Sequence, residues 1–375
     1  MKRTLLGLLA TLALLAACAP AAPPAPAPAA QPAAQAAPAS GAPPSADYRQ
    51  QVIAGARAEG QVNAVIQSTW TPEGLRQLEE AIQREYGVPL KINFTPVGNY
   101  PQRLGELAAE LGANTTPSFD VYQSADATSL AMLQQDLLET VDWAALLPQG
   151  TPPSIVQGDN RLLVVYTDHT GLMYDPTVIP ESEVPRSLKD LGNLRWRGRV
   201  MMYQYTSSYL PYVVRLGKEP TFAALRGAVQ NGAVPDIFAN EFTRFVAKEY
   251  PLVTVAGSFY HAARLRGVPA AFSSLDFSYN SDHHLAIPKK AAHPNAAKLL
   301  AAVLVGPEGQ RIAEAQIGIG NRNYEGSLDH QLEAAALAAG FPSFHWWSSQ
   351  EVRDLTLSPE GLDLQREIEQ IFKGG

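Results

Sequence analysis

QVNAVIQSTWTPEGLRQLEEAIQREYGVPLKINF, residues 61–94, sets the fold class. Val62 to Ile66 is a short apolar run of the kind a buried strand uses, and Gln67-Ser68-Thr69-Trp70 after it is a polar loop. Thr71-Pro72 opens a helix, since proline gives up no hydrogen bond at the first helical position. Leu75, Leu78, Ile82 and Tyr86 recur at helical spacing and make one apolar face. Gly87 ends the helix, and Leu90 to Phe94 is a second strand. On the N-terminal side, Tyr48 to Glu59 reads as a helix with Val52, Ile53 and Ala56 on one side, stopped by Gly60. On the C-terminal side follow a helix from Pro101 to about Leu111, a strand at Phe119–Tyr122 and a helix at Ala127–Gln134. Strands alternating with helices predict an α/β domain with a largely parallel sheet. Ligands of such sheets bind beyond the carboxyl ends of the strands. The strand-to-helix turns Ser68–Trp70, Ser124–Asp126 and Thr206–Ser208 are therefore the candidate binding loops.

The chain has 375 residues, which allows two or three globular units at roughly 100–200 residues each. With 46% hydrophobic residues it has ample material for a core, so disorder throughout is excluded. A net charge of −7 argues against a general nucleic-acid partner. Cys18 is the only cysteine, which excludes an intrachain disulfide and a cysteine zinc cluster.

The N-terminus predicts where the protein lives. Lys2 and Arg3 precede an eleven-residue apolar run from Leu5 to Leu15, too short for a bilayer span of ~20 residues but right for a secretory segment. Leu15-Ala16-Ala17-Cys18 resembles the lipobox of bacterial lipoproteins, which implies cleavage after residue 17 and acylation of Cys18. Residues 18–46 are almost only Ala, Pro, Gln, Ser and Gly, and read as an extended tether without a core. A lipid-anchored monomer at the periplasmic or extracellular face of the cell envelope is expected.

Further along, Leu162 to Tyr166 is a strong β run, followed by Thr167-Asp168-His169-Thr170-Gly171 and Leu172-Met173-Tyr174. Val200 to Tyr203 is a strand, and a helix begins near Tyr209. Thr206-Ser207-Ser208 at that start offers hydroxyls and free N–H groups, as an anion site or simply as a cap. His283 and His284 are neighbours in the Asp282-His283-His284 run; on a strand they face opposite ways and do not share one ion. The chain carries no Walker-type glycine loop, HExxH or GxSxG motif, and nothing assigns Asp168 and His169 to a triad.

Pro185-Arg186-Ser187-Leu188-Lys189-Asp190-Leu191 with Arg195-Trp196-Arg197-Gly198-Arg199-Val200 resembles a stretch of the family 1 extracellular solute-binding proteins, near their ferric-binding branch. His293 to Leu300 followed by Gly306-Pro307-Glu308-Gly309-Gln310, and the opening Ala58 to Val62, are similar to the family as well; the likeness runs from about residue 50 to 325. The resemblance implies a type II periplasmic-binding-protein fold. Two α/β lobes, each a mostly parallel sheet flanked by helices, would meet at crossing hinge strands and close on a solute for an ABC-type permease. It implies no enzyme and no cofactor. The lobes are expected at 47–165 with 277–320 and at 166–276 with 321–375, the hinge at Tyr166–His169 and Asp276–Asp282, and Phe344-His345-Trp346-Trp347 in the core of the second lobe.

The ferric-binding branch holds iron through a His, a Glu and two adjacent Tyr, beside an anion at a helix start. The positions that match here are Trp70, Ala125 and Phe259-Tyr260, so Tyr260 alone remains in place as an iron ligand, with Asp126 or His261 as replacements after a small shift, while Thr206–Ser208 match the anion turn. The expected ligand is a small organic anion. Its expected contacts are Ser68, Thr69, Trp70, Ser124, Asp126, Tyr166, Tyr205, Thr206, Ser207, Ser208, Phe259 and Tyr260. Ferric iron through Tyr260, or a polyamine held by Asp126, Asp168 and Asp276, are the alternatives. A sensor or an enzyme on the same fold is the alternative of another class.

Overall fold

The strand–helix alternation of residues 61–94 recurs in the computed structural model, which describes residues 46–374. The signal segment, Cys18 and the tether up to residue 45 lie outside the described residues. Helix α1 (Ala46–Glu59) leads into β1 (Gln61–Ile66), α2 (Pro72–Tyr86), β2 (Lys91–Pro96), α3 (Tyr100–Gly112), β3 (Val121–Ala125) and α4 (Asp126–Gln134). The Thr71 hydroxyl accepts from the Gly74 N–H at 3.0 Å and caps α2. Gly87 ends that helix at φ 67°, where a side chain would be strained. After β4 (Val156–Gln157) comes β5 (Leu162–Tyr174), then β6 (Val200–Tyr203), α5 (Leu210–Leu216), α6 (Lys218–Gln230), β7 (Val234–Asp236), α7 (Phe238–Val246), β8 (Leu252–Ala256), α8 (Gly257–Leu265) and β9 (Ala271–Ser273). The return is β10 (Ser278–Ala286), α9 (Pro294–Val305), α10 (Pro307–Ile317), α11 (Leu328–Ala338), β11 (Ser343–His345), α12 (Gln350–Thr356) and α13 (Pro359–Phe372).

The sheet runs β2-β1-β3-β10-β5-β8-β6-β7, with β11 beside β10 and with β4 and β9 beside β5. At either end it is parallel, β1 with β2 and β3, and β6 with β7 and β8. In the middle the long strands β5 and β10 run antiparallel, from Tyr279 opposite Thr170 to Leu285 opposite Leu163. The start of β10 pairs with β11 and its end with β3, so it crosses from one lobe to the other. The two expected hinge segments are thus partners in one ladder.

Alternate residues of each strand feed cores on opposite faces, as the period of two requires. Val62, Ala64 and Ile66 of β1 join one cluster with α2 and α9, while Val65 joins another with Tyr122 and Leu107. In the second lobe Val200, Met202 and Leu252 face one core, and Met201, Val253 and Val255 the other. Phe277 and Tyr279 pack with Phe344 and Trp346 in the second lobe's core, although the sequence division puts 277–320 in the first lobe. The reason is that β10 begins on that side before it crosses. Val352, Leu364, Ile368 and Ile371 of the tail complete the same core.

The β run Leu162–Tyr166 continues through Thr167–Thr170 to Tyr174 as one strand. The polar run stays buried because it is partnered. Thr167 Oγ1 donates to Asp329 Oδ2 at 2.5 Å, and His169 Nδ1 and Nε2 meet Asn280 Oδ1 and Ser274 Oγ at 3.2 and 2.8 Å. Gly171 lets β9 approach: a Cβ there would lie 2.5 Å from the Ser273 carbonyl.

Candidate functional site

Where β5 and β10 cross, a chain of polar side chains links the first lobe to the second. Tyr100 opens α3, which is capped by Asn99 through the Gln102 N–H at 2.9 Å. The Gln67 N–H at the end of β1 donates to Gln123 Oε1 at 2.9 Å, which aims Gln123 Nε2 at the Tyr100 and Tyr166 hydroxyls, both at 3.2 Å. His283 stacks on Tyr166, with ring centres 4.1 Å apart and 17° between planes. Its Nδ1 lies 3.1 Å from the Tyr100 hydroxyl and its Nε2 3.1 Å from Asp168 Oδ2. Asp168 Oδ1 then accepts from the Ser258 N–H, in the first turn of α8, at 3.4 Å. A carboxylate at a helix start is held by the free N–H groups and the helix dipole. Burial pushes the Tyr100 phenol up to about 12; its bonds with Tyr166 and Gln123 oppose this, and the charges of Asp168 and Tyr205 add to it. Burial also raises Tyr166, well above the ordinary phenol range.

The second-lobe wall is aromatic. Tyr205 meets Phe238 edge-on at 4.9 Å, and Phe238 meets Phe259 at 5.6 Å and Tyr203 at 5.5 Å. Tyr205 is 39% exposed, and burial of the rest of its ring raises its phenol. Thr206–Tyr209 form a tight 3-10 turn, and Thr206, Ser207 and Ser208 are half-buried. Among the described residues their hydroxyls have no protein partner, so they are open to an acceptor or donor from outside.

The expected site residues divide accordingly. Tyr205, Thr206, Ser207, Ser208 and Phe259 come together on one wall, and Tyr166 lies behind Tyr100 on the other, itself only 2% exposed. Ser68 and Thr69 are exposed at the end of β1. Trp70 is not a clamp face: it is 6% exposed and packs in the first lobe's core, so tightly against α2 that a Cβ on Gly74 would come within 2.9 Å of the ring. Ser124 is buried, its hydroxyl 2.6 Å from that of Ser129. Tyr260 turns away from Phe259, since neighbours on a helix point about 100° apart; its ring meets Phe272 at 5.5 Å and its hydroxyl accepts from Arg264 at 3.4 Å. Asp276 is also committed elsewhere, accepting from the Leu188 N–H at 2.7 Å.

Asp126 belongs to a buried network away from the aromatic wall. Its Oδ2 accepts from the Asp282 N–H at 2.9 Å, and ligand atoms of Asp126, Asp282 and His284 lie within 4.8 Å of one another. His283 and His284 do face opposite ways. Asp282 accepts from His345 Nε2 and Gln157 Nε2, both at 2.9 Å, and His284 uses both ring nitrogens on Ser129 and Gln157 at 2.9 Å. A cation would have to displace these bonds. Burial raises Asp126 well above the usual carboxylate range, and the neighbouring Asp282 charge adds to it, so a proton relieves the pair instead. Burial also lowers His284 to about 4, which keeps it neutral.

Sequence reading missed Tyr100, Gln123, His283 and Phe238 as wall residues, and named Asp168 only for the polyamine alternative. Tyr100 and Phe238 stand at the starts of α3 and α7, in the β2–α3 and β7–α7 turns. The rule that singled out the other strand-to-helix turns applies to these two as well.

Two α/β lobes on a crossing pair of strands, with a polar wall facing an aromatic one, define a solute-binding protein. Residues 72–316 match the family described as bacterial extracellular solute-binding protein, and the chain belongs to that family. Its family is one of binders rather than enzymes. No curated protein sequence matches the chain. Among solved structures it is similar to iron-bound HitA from Pseudomonas aeruginosa, at 18% identity over 82% of this chain and 99% of that one, with a TM-score of 0.61. An ABC transporter substrate-binding protein from Bradyrhizobium japonicum USDA 110 gives 15% identity over 83% and 99%, with a TM-score of 0.64. The substrate-binding protein of an ABC transporter from Agrobacterium tumefaciens gives 13% over 84% and 93%, with a TM-score of 0.65. At these identities the likeness shows the fold and leaves the ligand to the residues of the cleft. Among the described residues no helix is long and apolar enough to cross a membrane.

Proposed function

We propose that the protein captures a small organic anion between its two walls and delivers it to an ABC-type permease. The similarity to the Bradyrhizobium and Agrobacterium substrate-binding proteins of ABC transporters supports the transport part. The carboxylate or phosphate group of the solute meets the Thr206–Ser208 turn, its apolar or planar body lies on Tyr205, Phe238 and Phe259, and its far end reaches Tyr100 and His283. Contacts to both lobes at once favour the closed state, so binding is read out as closure. The lobes are then 47–165 with 283–320, and 166–282 with 321–375, and a lipid on Cys18 tethers the monomer to the envelope. The observation that carries the reading is the free hydroxyl group of Thr206–Ser208 set beside the Tyr205–Phe238–Phe259 face.

Iron is disfavoured by the same residues. Trp70, Ala125 and Phe259 offer no anionic oxygen, and the Tyr260 hydroxyl faces the Arg264 guanidinium, a cation that competes with a metal. Thermal unfolding against organic acids, phosphonates, sugar phosphates and ferric iron with carbonate tests this. A solute at 100 times its dissociation constant adds ~2.7 kcal/mol, which shifts the midpoint by about several degrees. An organic anion that shifts the midpoint supports the reading, and a shift with ferric iron alone overturns it.

A further inference from the structure

Glu241 sits on the first turns of α7, four residues along the helix from its cap Ile237, and is fully buried. Neither of its carboxyl oxygens has a hydrogen-bond partner. Buried carboxyl groups are almost always satisfied, and two orphan oxygens on one side chain call for an explanation. The surroundings supply none from within the protein. Arg244, one turn on, gives its Nε to Glu249 at 2.8 Å, and Arg266 lies over the Phe242 ring at 5.0 Å. Asp236 is the nearby charge of like sign, and it is spent on the Ile237 N–H and Asn240 Nδ2, each at 2.8 Å.

On the same face of α7, one turn before Glu241, begins an aromatic group. Tyr203 and Tyr209 stack at 4.7 Å, and Phe238, one turn back on α7, packs on both Tyr203 and Tyr205. The charge of Glu241 is felt at the phenols of both Tyr205 and Tyr209. Residues three apart share one face of a helix, so Glu241 stands beside Phe238, which packs on Tyr205, the residue of the wall that reaches solvent. A carboxyl group without a protein partner, beside aromatic rings, is the chemistry that receives an organic ammonium group, through one ion pair once it ionises and through cation–π contacts.

We propose that Glu241 receives an ammonium group of the solute behind Tyr205, so that the transported compound carries a positive nitrogen as well as its anionic group. This rests on the cleft reading above and narrows it to a zwitterion. The anionic group stays on the Thr206–Ser208 hydroxyls, and the nitrogen enters as the Tyr205 ring swings aside. Without a ligand, burial pushes Glu241 up to about 10, with Asp236 adding to it, so the group holds a proton at neutral pH. Pairing with an ammonium ionises it, and that proton leaves to solvent.

The test is calorimetric titration of the full chain with phenylalanine and with its amine-free counterpart 3-phenylpropionate, in phosphate and in Tris buffer at neutral pH. Phenylalanine is expected to bind at least about tenfold more tightly than 3-phenylpropionate. Its heat should differ between the buffers by the amount for about one proton released per solute. Glu241→Gln, of the same shape, should remove both the preference and the proton release while still binding 3-phenylpropionate. The inference is overturned if 3-phenylpropionate binds as tightly as phenylalanine, if no proton is released by the unaltered chain, or if neither compound binds. Equal binding of the two acids, weakened alike by Tyr205→Ala, would remove the ammonium site and leave the cleft reading standing.

Discussion

Two sites of buried carboxyl groups, one on the crossing strands and one on α7, are built on opposite terms. In the first, Asp282 sits within a web of His284, His345, Gln157 and Ser129 with both oxygens bonded, and Asp126 has one oxygen on the Asp282 N–H and the other without a partner. In the second, Glu241 is as deeply buried with nothing bonded to it. The contrast separates a polar network that fixes the fold from a polar group kept in reserve. A satisfied network rigidifies the crossing strands, and an unsatisfied group costs stability that only a ligand restores.

The largest expected effect is on the satisfied side. Asp282→Ala strips His345 and Gln157 of their buried acceptor while keeping the backbone N–H that holds Asp126, and should cost about 3–5 kcal/mol in chemical denaturation. A loss below about 1 kcal/mol would erase the contrast.

Next comes Glu241, with the opposite sign. Its folded value near 10 lies above the ordinary 4.5, so below about pH 4.5 both states are protonated and it adds no penalty. Between about 4.5 and 10 only the unfolded chain ionises, so stability falls as pH rises through that window. Glu241→Gln removes this slope. Melting curves at pH 5 and pH 9 should show the variant gaining on the parent at the higher pH, by roughly 2 kcal/mol or more. A parallel pair of curves would mean that Glu241 is already paired. Asp126 has a slope of the same sign, which this substitution leaves in place.

The smallest effect is expected at Tyr260, the only residue that the ferric reading retains. Its hydroxyl faces Arg264 and not the cleft, so Tyr260→Phe should change stability by no more than about 0.5 kcal/mol and leave solute binding unchanged. A clear loss of binding in the same thermal titration would return Tyr260 to the site.

How much of this was legible in the sequence follows from what periodicity can carry. The helix at Leu75–Tyr86, its cap at Thr71 and its stop at Gly87 come straight from spacing and turn chemistry. The turn at Thr206–Ser208 came from the strand-to-helix rule together with the family resemblance. The continuous strand β5 was not legible, because Thr167 to Thr170 are polar and their partners Asp329, Asn280 and Ser274 lie 100 or more residues away. Trp70 looked like a cleft residue for the converse reason. A lone tryptophan after a strand carries no sign that Gly74, one turn into the next helix, makes room to bury it. Glu241 gave no signal at all, since a glutamate in the first turns of a helix is ordinary until its burial is known.

The central claim is that one solute is held by both walls of the cleft. It is tested most directly by titrating the same anionic solute, once the thermal panel has found it, into Tyr100→Phe and Tyr205→Ala. The account predicts that each variant, though on a different lobe, weakens that solute by about tenfold while the melting point without ligand stays nearly unchanged. Full affinity in both variants would place the solute outside the crossing strands and contradict the account.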